Sequence, residues 1–446
     1  MTGLLLLVFL AALLARVINI ALLPISVEYL TVEDAILYWD GAKVLLDHGV
    51  FGRLTDTGIM PETERAPGYI FFLAGLRWLF SDSLVGILLA QAVLDSLTCV
   101  LIAVTGAQLS RSLALAGGLL AACWVNLIIH SGMILSDSLF VFLMTAMLAA
   151  AAQFLRTASL GSVALAGLSL GLALATRSVA QLLPFLMLPA AFGVPLFHRR
   201  GAAVAALSAV LFLVLSLLPV SPLIYRNLTE FDTLAISSQT GTHLAGWVVP
   251  LVRRAADGTP RGQGAAELGA SIERRIETEG LLEADATPFQ RSALFQEHAL
   301  RALWEYPPGA VAKAWLNGAL INLTAPAIAV DPRIRQLPHA SFDSTAGDGI
   351  VAQARNMLAG SSAAYIAAMA GGLVFAALFS VAQLYGLVCL FRIAPWAAIF
   401  ATLCAGYFLA INGPVGSPKY RLPFEPVLIL LSGLAFLDIA RRFRRR

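Results

Sequence analysis

The sequence predicts an all-α, polytopic membrane protein: a helical bundle of about 10–12 transmembrane helices with a folded loop subdomain on its outer face. Three observations carry this expectation. Of 446 residues, 59% are hydrophobic and 13% are charged, about half the charged share of a soluble domain. Apolar runs long enough to cross a hydrocarbon core of roughly 30 Å recur from end to end. These runs are continuous and rich in Leu and Ala, whereas a membrane barrel shows short alternating strands.

The first run, Gly3 to Leu23, lacks a basic start and an Ala-x-Ala type cleavage site, so it is expected to stay as a helix rather than leave as a signal peptide. Further long runs fall at 84–106, 113–131, 133–155, 160–176, 178–196, 201–220, 361–391, 394–411 and 421–440, with a shorter one at 68–80. Cytoplasmic loops carry the excess of Lys and Arg, so the tail Arg441, Arg442, Arg444, Arg445, Arg446 places the C-terminus inside. With ten spans and an inside N-terminus, Arg111, Arg156, Arg199, Arg200 and Arg392 also fall on the cytoplasmic side. A full crossing by 68–80 breaks that parity, so this segment is expected to be re-entrant or interfacial, and Arg77–Trp78 suits an interface.

The expected division is an N-terminal transmembrane module over 1–220, an extracytoplasmic helical subdomain over 221–360, and C-terminal transmembrane helices with a basic tail over 361–446. The first outer loop, 25–67, holds eight acids, among them Glu33, Asp34 and Glu64. The second, from Ser221 to about Gly360, is long enough to need its own structure. Its stretch from Ala265 to Trp304 is polar, with Phe295, Ala299 and Leu303 at the spacing of an amphipathic face. Ala310 to Leu323 is apolar but interrupted by Lys313, Asn317 and Asn322, which places it against the membrane surface. Cys99, Cys123, Cys389 and Cys404 lie in apolar runs without metal-ligand spacing and read as small core residues. Glycine-rich phosphate loops and a nucleophile elbow are absent, which removes nucleotide hydrolysis and serine hydrolysis. No nucleic-acid partner and no cofactor is expected.

Ionisable groups gathered at one membrane face raise a functional hypothesis. Four clusters share the outer face. Glu33–Asp34 follow the first helix, with Tyr38 one turn on; a solvated acidic loop is the plain alternative. In Glu64-Arg65-Ala66-Pro67-Gly68-Tyr69 a Pro-Gly turn sends the chain back to the membrane, leaving Arg65 at phosphate depth, where, taken alone, snorkelling to lipid headgroups is the stronger reading. Ser136–Asp137 sit in a tight turn and would also suit a helix cap. Ser417-Pro418-Lys419-Tyr420-Arg421-Leu422-Pro423 puts two cations on the face that disfavours them, which an anionic partner explains. Arg177 and Arg226 lie on the same side.

Carboxylates beside cations suit transfer of a sugar from a lipid phosphate to a hydroxyl: a carboxylate takes the acceptor proton and cations hold the departing phosphate. A divalent metal is able to replace some cations, but no ligand pairing indicates one.

At these residues the chain resembles the C-type membrane glycosyltransferases, specifically the family 39 protein mannosyltransferases and bacterial lipid A aminoarabinose transferases. The resemblance runs through Glu33-Asp34 to Tyr38 and Ala42, Arg65-Ala66-Pro67-Gly68-Tyr69, Ser136-Asp137, Thr176-Arg177, Arg226-Asn227 and Lys419-Tyr420-Arg421-Leu422-Pro423. Ala66 stands where a Pro is common, and Lys419 where an Arg is, keeping charge but losing the guanidinium fork. The resemblance implies Asp34 as the proposed base or acceptor-orienting group, and donor phosphate contact by Arg65.

Together these readings give an enzyme of the bacterial inner membrane taking a sugar from a polyprenyl-phosphate donor to a lipid-linked glycan, lipid or protein acceptor on the outer side, with inversion. Asp34 acts as base, supported by Glu33 and oriented with Asp137. Arg65, Lys419, Arg421, Arg177 and Arg226 bind the phosphate, with Tyr38, Glu64, Tyr69 and Tyr420 supporting. A lipid-linked oligosaccharide transporter or flippase is the alternative, but it needs charges near the midplane, where Asp95 is the main example. A non-catalytic assembly protein is a third.

Overall fold

The computed structural model describes residues 1–31, 34–56, 58–282, 286–340 and 350–444. Among these, seven helices are long and apolar enough to cross a membrane: Thr2–Ala21, Leu84–Ala107, Asp137–Thr157, Ala202–Phe231, Ala363–Ile393, Pro395–Asn412 and Pro418–Arg444. Arg111–Ala122 and Val125–Ser131 are together long and apolar enough for one more crossing, but they are bent by 51° at the break between them. The protein is therefore a multi-pass membrane protein of helical architecture.

Two runs expected to span are shorter helices, Leu160–Thr176 and Leu183–Phe197. Arg177 takes extended backbone between them, and Pro189 and Pro195 sit inside the second, removing helix hydrogen bonds. Pro67–Phe80 has 14 residues, roughly 21 Å at the helical rise, too short for a hydrocarbon core. Trp78 is exposed, but Arg77 turns inward rather than to an interface. It is 5% exposed and lies 3.9 Å over the Trp39 ring, donating to the Trp39 carbonyl at 2.7 Å. Stacking on an indole and a bonded guanidinium outweigh snorkelling here.

The chain divides into two compact units. The first comprises Met1–Leu223, Leu378–Tyr407 and Leu422–Arg446; the second comprises Ile224–Ala377 and Phe408–Arg421. In the first, one core gathers Ile20, Tyr38, Tyr69, Ile87 and Leu135, and another Val8, Cys99, Trp124 and Ile429. The first helix carries a charge that the sequence reading overlooked. Arg16, fully buried, donates from Nε to Asp95 Oδ2 at 2.6 Å and from Nη1 to the Ala122 carbonyl at 2.7 Å. Cys99, Cys389 and Cys404 are buried, whereas Cys123, at the bend between Arg111–Ala122 and Val125–Ser131, is exposed.

In the second unit, Val249–Asp257, Arg261–Glu279 and Pro288–Glu305 pack around Val249, Ile272, Ile276 and Ala299, with Phe295 and Leu303 against them. The amphipathic stretch is thus two helices. Gly280, at φ +61°, ends one, and a Thr287–Gln290 capping box starts the next. In Pro308–Thr324, Asn322 is buried and donates to the Val415 carbonyl at 3.1 Å, so that interruption serves packing.

Candidate functional site

Asp34 opens the helix Asp34–His48, where a carboxylate suits the dipole. Its Oδ1 accepts from Arg65 Nη2 at 2.8 Å. The Asp34 side chain stays 47% exposed while Arg65 is 16% exposed, so the acid faces outward and the cation backs it. Glu33 lies outside the described residues.

Arg65 is held by its backbone. Buried Glu62 accepts the amides of Glu64 at 2.7 Å and Arg65 at 3.0 Å, fixing the turn ahead of Pro67. Glu62 is one of the eight acids of the first outer loop, and no motif in the sequence singles it out. Glu64 accepts from Arg53 Nη1 at 2.9 Å, an exchange on the rim. The Arg65 guanidinium also lies 5.9 Å from the Tyr38 ring centroid.

Asp137, 2% exposed, is paired with the Arg177 guanidinium, which lies over the Phe140 ring. It begins the helix Asp137–Thr157, and the Ser136 hydroxyl caps no amide there. Instead Ser136 Oγ meets Tyr38 OH at 3.1 Å. Tyr38 stands edge-on to Tyr69 at 5.1 Å between centroids, and Tyr69 donates to Gln91 Oε1 at 2.7 Å. Gln91 in turn donates to the Met133 carbonyl at 3.0 Å. Gly68 closes the other side: a Cβ there would meet Thr176 Oγ1 at 2.7 Å and the Ala175 carbonyl at 2.8 Å. Only a glycine lets the Pro67–Phe80 helix approach the Thr176–Arg177 turn this closely. The two acid–base pairs, Asp34–Arg65 and Asp137–Arg177, are therefore coupled through Tyr38–Ser136 on one side and Gly68–Thr176 on the other.

Near this turn, Ser138 Oγ donates to the His130 carbonyl at 3.1 Å, and Asn126 Nδ2 donates to Glu425 Oε1 at 2.7 Å. Glu425 is fully buried at the head of the last helix. Sequence reasoning passed over it, although an acid inside an apolar run is the signal that would have found it.

The other expected cations belong to the second unit. Arg226 donates to Asn227 Oδ1 at 2.6 Å from Nη2. Arg421 is 7% exposed, and its Nη1 donates to the Ala325 carbonyl at 2.6 Å. Lys419 and Tyr420 are half-buried in the short 3-10 helix Pro418–Phe424. Among the described residues, no three His, Cys, Asp or Glu side chains gather as a metal-holding group.

The archaeal oligosaccharyltransferase AglB of Archaeoglobus fulgidus, solved with an inhibitory peptide and a dolichol-phosphate, is 13% identical, with TM-score 0.55 over 99% of this chain and 50% of that one. The same organism's oligosaccharyltransferase tethered to an acceptor peptide gives 14% identity and TM-score 0.52 over the same shares. The chain thus spans about half the length of these proteins, and the likeness is one of fold. ArnT of Cupriavidus metallidurans bound to undecaprenyl phosphate is 16% identical, with TM-score 0.41 over 99% of this chain and 78% of that one. No curated protein sequence matches significantly. The family model for dolichyl-phosphate-mannose-protein mannosyltransferase matches residues 6–235, more than half of the chain and the part that holds both acid–base pairs. The chain belongs to this family, and so to the C-type membrane glycosyltransferases.

Proposed function

We propose that the protein transfers a sugar from a polyprenyl-phosphate carrier to an acceptor hydroxyl on the outer face of a bacterial inner membrane, with inversion. The observation that carries this reading is the exposed Asp34 carboxylate backed by Arg65 at the head of a helix. In the reaction the acceptor oxygen bonds to the anomeric carbon as the bond from that carbon to the phosphate oxygen breaks. The acceptor proton passes to Asp34, and the electron pair leaves with the phosphate. Arg65 bonds the carboxylate in the resting state, and its remaining N–H groups are the donors to meet the phosphate as charge develops there. Asp137, paired with Arg177, orients the Tyr38–Ser136 edge of the site. From the sequence motifs alone, Glu33 is assigned as a supporting acid and Arg226, Lys419 and Arg421 as cations for the donor. Direct displacement with one base predicts inversion.

The family name and the fold shared with a protein solved with dolichol-phosphate support a lipid-phosphate donor. A transporter of lipid-linked glycans is less well supported. Its expected midplane charge, Asp95, is buried and bonded to Arg16.

The test is sugar transfer by the purified protein from a panel of polyprenyl-phosphate sugars, with and without a chelator. Asp34→Asn is expected to lower kcat by roughly a hundredfold to ten-thousandfold while leaving donor binding in place. Full activity of that variant removes Asp34 as the base.

A further inference from the structure

An apolar pocket lies within the first unit, away from the acid–base pairs. It has a volume of about 250 Å³, larger than the apolar cavities of ~150 Å³ that stay dry and take up hydrocarbon. Its walls are apolar, with Leu148, Phe400 and Leu430 among them. A polar edge interrupts them where Arg156, exposed, donates from Nη1 to Gln108 Oε1 at 2.6 Å. This edge sits at helix ends: Gln108 caps Leu84–Ala107, and Arg156 lies in the last turn of Asp137–Thr157.

We propose that this pocket is a binding site for an anionic glycerophospholipid, one acyl chain lying in the apolar cavity and the headgroup phosphate meeting Arg156. A hydrocarbon chain is what the cavity wall accepts, and in a bilayer such chains are always at hand. The choice of an anionic lipid follows from charge. Arg111 stands two residues before the wall residue Leu113, and Arg392 two residues after the wall residue Leu390. A headgroup with a net negative charge is drawn to such cations, whereas a choline headgroup brings its own positive charge. One guanidinium near the surface is expected to favour the anionic lipid by roughly fivefold. The Gln108 side chain holds the Arg156 fork in place, leaving other N–H groups for phosphate oxygens. By the positive-inside pattern this is the cytoplasmic leaflet, the one opposite the proposed transfer chemistry. The lipid is therefore a ligand distinct from the sugar donor.

Trp396 lines the pocket and reports on it. The protein is placed in nanodiscs of phosphatidylcholine containing a small fraction of either dibromostearoyl phosphatidylglycerol or dibromostearoyl phosphatidylcholine. The Trp396 share of the quenched fluorescence is obtained by difference from Trp396→Phe. Bromolipid occupancy at Trp396 is expected to be roughly fivefold higher for the glycerol lipid. Arg156→Gln is expected to abolish that preference, and Ala152→Phe, which fills the cavity, to lower quenching by both lipids. Because Arg156 is exposed, its replacement leaves the packed interior untouched. Equal quenching by the two lipids in the parent protein overturns the proposal, as does a preference that survives Arg156→Gln. Loss of the glycerol-lipid quenching on adding an equimolar polyprenyl phosphate overturns it in favour of a donor-tail site.

Discussion

The buried Arg16–Asp95 pair separates a structural role for midplane charge from a transport role. Both side chains are shut off from solvent, at 0% and 2% exposure, and their charged atoms meet at 2.6 Å. Arg16 also donates to the carbonyls of Ala12, Ala121 and Ala122 and to Cys99 Sγ. Asp95→Asn keeps the shape but removes the one negative charge bonded to that guanidinium, leaving a buried cation against neutral acceptors. Breaking such a pair from one side costs about 3–5 kcal/mol. At 1.4 kcal/mol per factor of ten, the ratio of folded to unfolded protein falls by roughly a hundredfold to a few thousandfold. Removing both charges in Arg16→Met/Asp95→Leu removes the desolvation cost along with the attraction, so the double variant is expected to lie within about 1 kcal/mol of the parent. The assay is denaturant unfolding in detergent micelles, followed by turnover per folded molecule. Stability should fall in the single variant and return in the double, with turnover unchanged in both. An Asp95→Asn protein as stable as the parent, or a double variant less stable than the single, refutes the reasoning. Turnover abolished in both variants at full folding would instead favour a charge pathway.

Arg65→Gln should lower kcat/KM by roughly a hundredfold to a thousandfold, the effect of losing one donor to a developing anion. Arg65→Lys should recover part of it, because the charge stays while the fork is lost. Gly68→Ala should cost about 1–3 kcal/mol in unfolding free energy, since its methyl group meets Thr176 Oγ1 at 2.7 Å. The same variant should reduce turnover by pushing the Arg65 turn from Arg177, read in a transfer assay on folded protein. Tyr38→Phe removes the hydroxyl that meets Ser136 and should cost about 0.5–1.5 kcal/mol. In the second unit, burial holds the His243 imidazole below its usual range. Its contribution to stability is complete above the unfolded-state value of about 6.5 and is lost as pH falls from there through the depressed folded value. Limited proteolysis of the second unit should therefore speed up on acidification, and His243→Gln should flatten that dependence.

What the sequence disclosed follows from the range over which a signal acts. Hydropathy is local, so the long apolar helices could be read from their runs. The Arg65-Ala66-Pro67-Gly68-Tyr69 turn could be read too, because Pro and Gly dictate their own backbone. Apolar runs overstate helix length where Arg177 and internal prolines interrupt them, since apolar content does not report helix continuity. The four-residue strands Gly52–Thr55 and Gly58–Pro61 escaped notice because their pairing needs only one turn and no apolar face. Partner choice is the part that local signals cannot carry. Asp95 stood out as a midplane acid, yet its cation lies 79 residues away in a Leu-rich run, and Asn126 meets Glu425 across 299 residues. A rule from membrane energetics narrows the search: an ionisable group inside an apolar run turns to the bundle interior and pairs there with another such group or with backbone carbonyls. Applied to this chain, that rule pairs Arg16 with Asp95, since each is the single charged side chain of its helix. It also marks Glu425 as a buried acid at the head of the last helix, next to the Lys419–Arg421 motif in sequence. The residues that define the proposed chemistry are thus legible by type, while their orientation depends on Glu62, Gly68 and Ser136, whose roles arise only once distant segments pack.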